Sequence, residues 1–166
     1  MPQGPAARLT DPVAHQLPPM LGPGPGSPTC KIGFLPAWRG ILAAAVPALQ
    51  AASQAAQNTI QAAVATTAGA AGTPDAPVAY ATEQATKASL LASMSSMITG
   101  AAAGADIHMC ATPLAIPPHG PGVIINGSQT VMIDNLPACR QGDTILEAVG
   151  PPNQVATGCQ TVIIGG

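Results

Sequence analysis

Three histidines and one nearby cysteine form a candidate metal site in this 166-residue chain. His108 and Cys110 are separated by one residue, so in an extended segment both side chains face one side. His119 follows a proline-rich stretch that could turn the chain back toward them, and His15 would complete the set. Imidazole and thiolate are the usual zinc ligands, and a closed structural site takes four. The alternative is that these histidines bind no metal and are simply exposed or hydrogen-bonded, because the spacing alone is a weak signal.

Three short repeated segments are candidates for the elements that position these residues. GSPTCKI (26–32), GSQTVMI (127–133) and GCQTVII (158–164) share a turn-forming start and a β-branched, alternating end. This pattern predicts a strand in each segment. Three similar units separated by turns predict a β structure with pseudo-threefold symmetry.

A second repeat consists of PA-x-R turns at Pro5, Pro36 and Pro137. The heptads PAARLTD and PACRQGD each place an arginine three residues before an aspartate. We expect Arg8–Asp11 and Arg140–Asp143 to pair within their turns as scaffold. As isolated surface pairs they would contribute about 0–1 kcal/mol each.

The remaining cysteines occupy positions that exchange freely among the repeats. Cys139 stands where Trp38 and Ala7 stand, Cys30 where Val131 and Val162 stand, and Cys159 where Ser27 and Ser128 stand. Exchange of this kind is typical of packing positions. Cys159 is also the substitute ligand if His15 does not reach the metal.

The composition excludes several classes of protein. Five lysines and arginines in total, at a net charge of −2, are too few to neutralise nucleic-acid phosphates. The amino terminus has no basic segment followed by an apolar run, so we expect no signal peptide and a cytoplasmic origin. Cysteines there are thiols or metal ligands rather than disulfides.

The segment 41–104 differs from its flanks because alanine dominates it, with glutamine, serine and threonine. Alanine is the best helix former, and GTPDAP interrupts the run. We therefore expect a helical hairpin over about 43–68 and 77–101, with Pro47 in the first turn. It has no uninterrupted apolar run long enough to cross a bilayer.

Together these motifs resemble the PAAR-repeat family, the spike-tip proteins of contractile injection systems. The resemblance rests on PAARLTD, GSPTCKIGFLPAWRG, the DIHMC and PPHGPG segments with the NGSQTVMIDNLPACRQGD that follows, and GCQTVII. It covers 1–40 and 105–166, and it implies a mainly β fold, a small pseudo-threefold cone of β-hairpins. The Ala-rich segment 41–104 resembles the helical insertions that split the repeat in longer relatives.

The resemblance also implies a site and partners. Carried over by position, one structural zinc (or iron) would be bound at the apex by His15, His108, Cys110 and His119. The base would dock on a trimeric β-helical spike, with one tip per trimer. The chain would help to pierce a target membrane, which it contacts transiently, and to carry effector cargo.

Two other functions remain as alternatives. The helical insertion could be membrane-active or bind a toxin. A small zinc hydrolase would need an open metal position and a general base, for which Asp106 and Glu147 are the candidates. A site saturated by four ligands argues against an enzyme.

Overall fold

The computed structural model describes residues 2–15, 19–113 and 118–166. Two helices separate two sets of short strands, and a 3-10 turn at Ala43–Ala45 precedes the first helix. In chain order the elements are β1 Gly4–Ala6, β2 Pro23–Gly24, β3 Lys31–Ile32, β4 Leu35–Pro36, α1 Val46–Gly69, α2 Ala76–Ala102, β5 Ile107–Pro113, β6 Pro118–Ile124, β7 Met132–Ile133, β8 Leu136–Pro137, β9 Thr144–Glu147, β10 Asn153–Gln154 and β11 Cys159–Ile164.

The strands form several small antiparallel sheets. The largest has five strands in the order β10-β9-β6-β5-β2, and three two-stranded sheets pair β1 with β11, β3 with β4, and β7 with β8. With two long helices beside them, the fold is mixed α and β rather than mainly β. The division into 1–40, 41–104 and 105–166 stays a prediction.

The two hairpins β3–β4 and β7–β8 each reverse direction within two residues. Their two-residue turns, 33–34 and 134–135, have positive φ at both positions, which is the geometry of a type I′ turn. Only the last two residues of each predicted strand, 26–32 and 127–133, form a strand. Before that, the Oγ atoms of Ser27 and Ser128 each accept two backbone N–H groups, so the side chain forms a turn. The N–H groups of Ser27 and Ser128 still donate across the hairpin, to the carbonyls of Ala37 and Ala138.

The three PA-x-R turns meet at a closed ring of backbone hydrogen bonds. The Ala7 N–H donates to the Cys139 carbonyl (2.8 Å), Cys139 to Trp38 (3.1 Å) and Trp38 to Ala7 (2.9 Å). All three side chains are buried in one apolar cluster. The prediction that Cys139 packs where Ala7 and Trp38 pack is therefore confirmed.

Each PA-x-R turn carries an arginine–aspartate pair, including one that the sequence did not reveal. Arg8 pairs with Asp11 and Arg140 with Asp143, as predicted. Arg39 pairs with Asp106, 67 residues later, at 2.9 Å. In all three pairs the aspartate also accepts the backbone N–H of its arginine. The description of the two predicted pairs as surface pairs was wrong, because Asp11 and Asp143 are buried.

The helical hairpin is inserted inside a repeat unit, between Arg39 and its aspartate. The hairpin begins and ends close to the predicted positions, with Pro47 in the first turn of α1. Its ends are close together, since Asp106 N donates to Arg39 O at 3.1 Å.

One half of the hairpin packs on the β structure. Side chains from the first part of α1 and the last part of α2 share an apolar cluster with β6, β8 and β9; its buried members are Ile41, Leu49, Ala56, Met94, Ile98, Ala102, Ala105, Val123, Leu136, Leu146 and Ala148. Residues 61–89 contribute nothing to this cluster. No helix in the described ranges is both long and apolar enough to cross a bilayer.

The other half of the hairpin extends past the sheet. Gln57 on α1 donates to the Gly150 carbonyl at 3.2 Å, and Leu91 on α2 lies directly against Gly120. Beyond these contacts α1 continues for about 18 Å and α2 for about 22 Å, at 1.5 Å per residue. Gly120 and Gly150 both lie beside His119, so the distal half of the hairpin points toward the histidine end of the sheet.

Candidate metal centre

Two of the sheet's strands and one loop carry the predicted ligands. His108 and Cys110 lie two residues apart on β5, and His119 lies on the adjacent β6. His15 follows Val13, which bridges to Val155, and Ala14, whose N–H donates to Gln154 O. These backbone contacts place the loop at the same end of the sheet.

The closest pair of side chains is His15 and His108. Their Nε2 atoms are 2.5 Å apart, and the ring centroids are 4.8 Å apart with a tilt of 37°. Both rings therefore direct Nε2 at the same point. The Gly22 N–H approaches Nδ1 of His108 at 3.4 Å, which is too long to fix the tautomer of that ring. His15 Nδ1 is buried and has no hydrogen-bond partner among the described residues.

Glu147, at the end of β9, connects the remaining histidine to this pair. Its Oε2 is 2.6 Å from Nδ1 of His119, and its Oε1 is 3.7 Å from Nε2 of His15. The Nδ2 of Asn153 donates to Oε1 at 3.4 Å. The carboxylate is only 1% exposed, so these contacts replace its hydration.

Gly150 shapes the wall beside His119. Its φ is +103°, a conformation that side-chain-bearing residues rarely adopt. A Cβ atom there would also lie 2.8–3.0 Å from three atoms of the imidazole ring. A residue without a side chain is therefore required for the ring to occupy its place.

Burial favours the neutral form of two imidazoles of this site, those of His15 and His108. Desolvation, reinforced by the charge of His15, lowers the pKa of His108 to about 4. Desolvation also lowers the pKa of His15, against the opposing effect of the Glu147 carboxylate and with the help of His119. Neutral imidazole is the form that binds metal.

The residues present fit a metal of the zinc type. His15, Cys110 and Glu147 each offer a ligand atom, and these atoms all lie within 4.8 Å of one another. His108 is in contact with His15, and no hydrogen bond to a described residue holds the Nδ1 atom of His15. Nitrogen, sulfur and carboxylate oxygen are the donors that zinc takes in proteins.

Of the four predicted ligands, three lie close together and the fourth lies farther away. The structure brings His15, His108 and Cys110 together, whereas His119 reaches the group through Glu147. Sequence reasoning treated Glu147 only as a hypothetical general base and missed its place beside the histidines. The signal available was an acidic residue at the end of the apolar run Ile145–Leu146. Residues 114–117, which include part of the proline-rich stretch, lie outside the described residues.

Two other candidates are excluded from the site by their contacts. The Sγ of Cys159 is 3.3 Å from Thr161 Oγ1 and packs with Ile32 and Ile164, away from the histidines. Asp106 is held by Arg39 and by the Gly26 N–H, so its carboxylate is not available as a general base. The four cysteines all lie in the described part of the chain, and no disulfide joins them.

Comparison with known proteins gives one finding. Residues 114–166 match the family described as the PAAR motif. The matched segment contains His119 and Glu147, two of the hairpin strands and one of the three arginine–aspartate pairs. The comparisons with curated proteins and with solved structures gave no match.

Proposed function

Because residues 114–166 match the PAAR motif, we propose that the chain is a PAAR-repeat protein and that it caps the trimeric β-helical spike of a contractile injection system. The observation that carries the proposal is the closed ring of Ala7, Trp38 and Cys139. It joins three equivalent turns of one chain, so a single copy offers three similar faces to three identical subunits. A pseudo-threefold β cone with one tip per trimer follows from this arrangement.

The proposed base of the cone carries exposed apolar side chains at the end of the fold remote from the histidines. β6 runs from His119 to Ile124 and β9 returns, so the intervening hairpin β7–β8 lies at the opposite end. Exposed apolar residues recur on this hairpin and on its counterparts: Phe34 (96% exposed), Val131, Met132, Val162 and Ile163. Contacts of this kind suit a partner with little charge, since few charges are available here.

A binding experiment with the trimeric spike of the producing organism tests this proposal. Mass measurement of the purified complex should give one chain per trimer. Met132→Ser and Ile163→Ser should each weaken binding by about tenfold, or about 1.4 kcal/mol. Val78→Ser, a change at a more exposed apolar side chain on α2, is the control and should have no effect. Three chains per trimer, or equal effects of all three variants, would contradict the proposal.

At the opposite end we propose a structural zinc, with iron as the alternative, bound by His15, His108, Cys110 and His119. These residues come from separate segments, so a bound ion would cross-link the narrow apex where little apolar core is available. Elemental analysis of the purified protein should find about one equivalent of metal. Well under half an equivalent, with no gain on refolding with zinc, would refute this part of the proposal.

The proposal also assigns a role to the helical hairpin. Its distal half extends past the histidine end without packing on the sheet, which suits a surface that carries effector cargo. Membrane activity of the hairpin is the second candidate, and leakage of liposomes treated with the whole protein would favour it. Localisation at the tip of the apparatus, after synthesis in the cytoplasm, and transient contact with a pierced membrane belong to the same proposal.

A further inference from the structure

Glu147 is a buried carboxylate without a basic side chain to balance it. It is 1% exposed, and in the described ranges its ion-pair contacts are with His119 and His15 alone. The other buried carboxylates contrast with it, because Asp11, Asp106 and Asp143 each contact an arginine. Taking an unpaired carboxylate out of water is strongly unfavourable, so this position needs a positive charge from another source.

A metal centre at this place supplies that charge. Neutral histidines contribute none, and one thiolate cancels one of the two positive charges of a divalent ion. A centre of three imidazoles and one thiolate therefore keeps one positive charge. The single negative charge of Glu147, in contact with two of the histidines, makes the whole buried group neutral.

The hydrogen bond from His119 gives Glu147 a second task. An ionised carboxylate accepts only, so the 2.6 Å contact requires the proton of neutral His119 to reside on Nδ1. That tautomer leaves the lone pair on Nε2, the atom then available to a metal. The Asn153 amide, on the neighbouring strand β10, donates to the other carboxylate oxygen and fixes the orientation of the group.

We propose that Glu147 is the positioning residue and counter-charge of the metal centre, selecting the His119 tautomer through Oε2 while remaining outside the set of direct ligands. This inference rests on the proposed metal site. Carboxylates that orient a metal-bound histidine typically contribute a factor of about 10–100 to metal affinity. Sequence reasoning had considered Glu147 only for hydrolysis.

Zinc affinity of the full-length protein, measured by competition with a chromophoric chelator, tests the proposal. Glu147→Gln removes the charge but keeps the shape, and we expect it to bind one zinc about 10–100-fold more weakly than wild type. Glu83→Gln is the matched control, since Glu83 is the other buried glutamate and pairs with Lys87 in the helical hairpin. Its zinc affinity should be unchanged.

Two spectroscopic measurements separate positioning from direct ligation and from simple loss of stability. The absorption spectrum of the Co²⁺-substituted protein should be the same in wild type and Glu147→Gln, because the direct ligands are unchanged. In zinc-loaded wild type, two-bond ¹H–¹⁵N correlations of the imidazoles should show His119 protonated at Nδ1. This last measurement requires no variant, so it does not depend on whether Glu147→Gln folds.

Three results would overturn the inference: unchanged affinity in Glu147→Gln, an altered Co²⁺ spectrum that indicates loss of an oxygen ligand, or protonation of His119 at Nε2. Failure of the underlying metal site is distinguishable from these. In that case wild type itself would bind no zinc and give no Co²⁺ spectrum.

Discussion

The arginine–aspartate pair that spans the helical insertion should be more stabilising than the more exposed pair Arg8–Asp11. The decisive substitution is Asp106→Asn, which removes the charge at nearly constant shape. Asp106 is fully buried and accepts four hydrogen bonds: Gly26 N at 2.8 Å, and Arg39 N, Nε and Nη2 at 2.7, 3.1 and 2.9 Å. An asparagine amide in this place directs N–H groups at the guanidinium.

The magnitude follows from the burial of both partners. The Arg39 side chain is 7% exposed, so after the substitution a cation remains inside the protein with only the partly exposed Asp134 near it. Removing one partner of a buried pair costs about 3–5 kcal/mol. The Arg8 side chain is 18% exposed and can reach water when Asp11 is changed, so Asp11→Asn should cost about 1–2 kcal/mol.

Urea unfolding of the zinc-loaded protein at neutral pH measures both losses. Trp38 is the single tryptophan and is buried in the central cluster, so its fluorescence reports unfolding of the β structure. The two variants should share the urea dependence of wild type and differ in midpoint. The reasoning would be refuted if Asp106→Asn were no more destabilising than Asp11→Asn, or if it lowered the free energy of unfolding by less than about 1 kcal/mol. Burial would then not determine how much each pair contributes to stability.

Three further predictions concern the metal, its protonation and the insertion. Cys110→Ala should abolish stoichiometric zinc binding, whereas Cys139→Ala should keep the metal and lose about 1–2 kcal/mol, as an ordinary small core change does; equal losses of metal would refute this division of the cysteines. In chelator-treated protein, the free energy of unfolding should fall by up to about 3 kcal/mol as the pH drops from about 6.5 to about 4. The reason is that His108 is protonated at its ordinary pKa in the unfolded state, whereas burial lowers its pKa to about 4 in the folded state. Stability that stays flat across this window in urea titrations would contradict it. Replacing 41–104 by a short Gly-Ser linker should preserve zinc binding, since the ends of the insertion are hydrogen-bonded neighbours, but should lower the melting temperature by uncovering Leu146 and its cluster. Loss of zinc in this deletion would show that the hairpin helps to form the site.

Features with local causes could be predicted from the sequence. Alanine propensity acts within a few residues, so the helices were found to within three residues at each end. Ala7, Trp38 and Cys139 occupy equivalent positions of the repeats, and this equivalence predicted that all three pack in the interior. The prediction succeeded because the three turns bury these side chains in one cluster. The histidines and Cys110 were recognised by their chemistry.

Features that depend on distant contacts could not be predicted. Arg39 has no aspartate three residues later, so a rule built on local spacing assigns it no partner. Strand patterning failed at Ser27 because its hydroxyl accepts two backbone N–H groups and forms a turn. Glu147 gave no spacing signal toward the histidines, since its contact with His119 exists only after β6 and β9 pair.

The ring of Ala7, Trp38 and Cys139 has a consequence for how this interior can vary. Three turns supply one side chain each to a common space, and they supply very unequal ones: a methyl group, an indole and a thiol. Close packing constrains the summed volume of the three side chains in this interior. Because the three backbones are equivalent, it does not determine which turn carries the largest side chain. Moving the indole to the first or third turn, with compensating reduction at Trp38, would therefore conserve the interior. Any one of the three equivalent turns could therefore carry the large side chain, provided that the other two carry small ones.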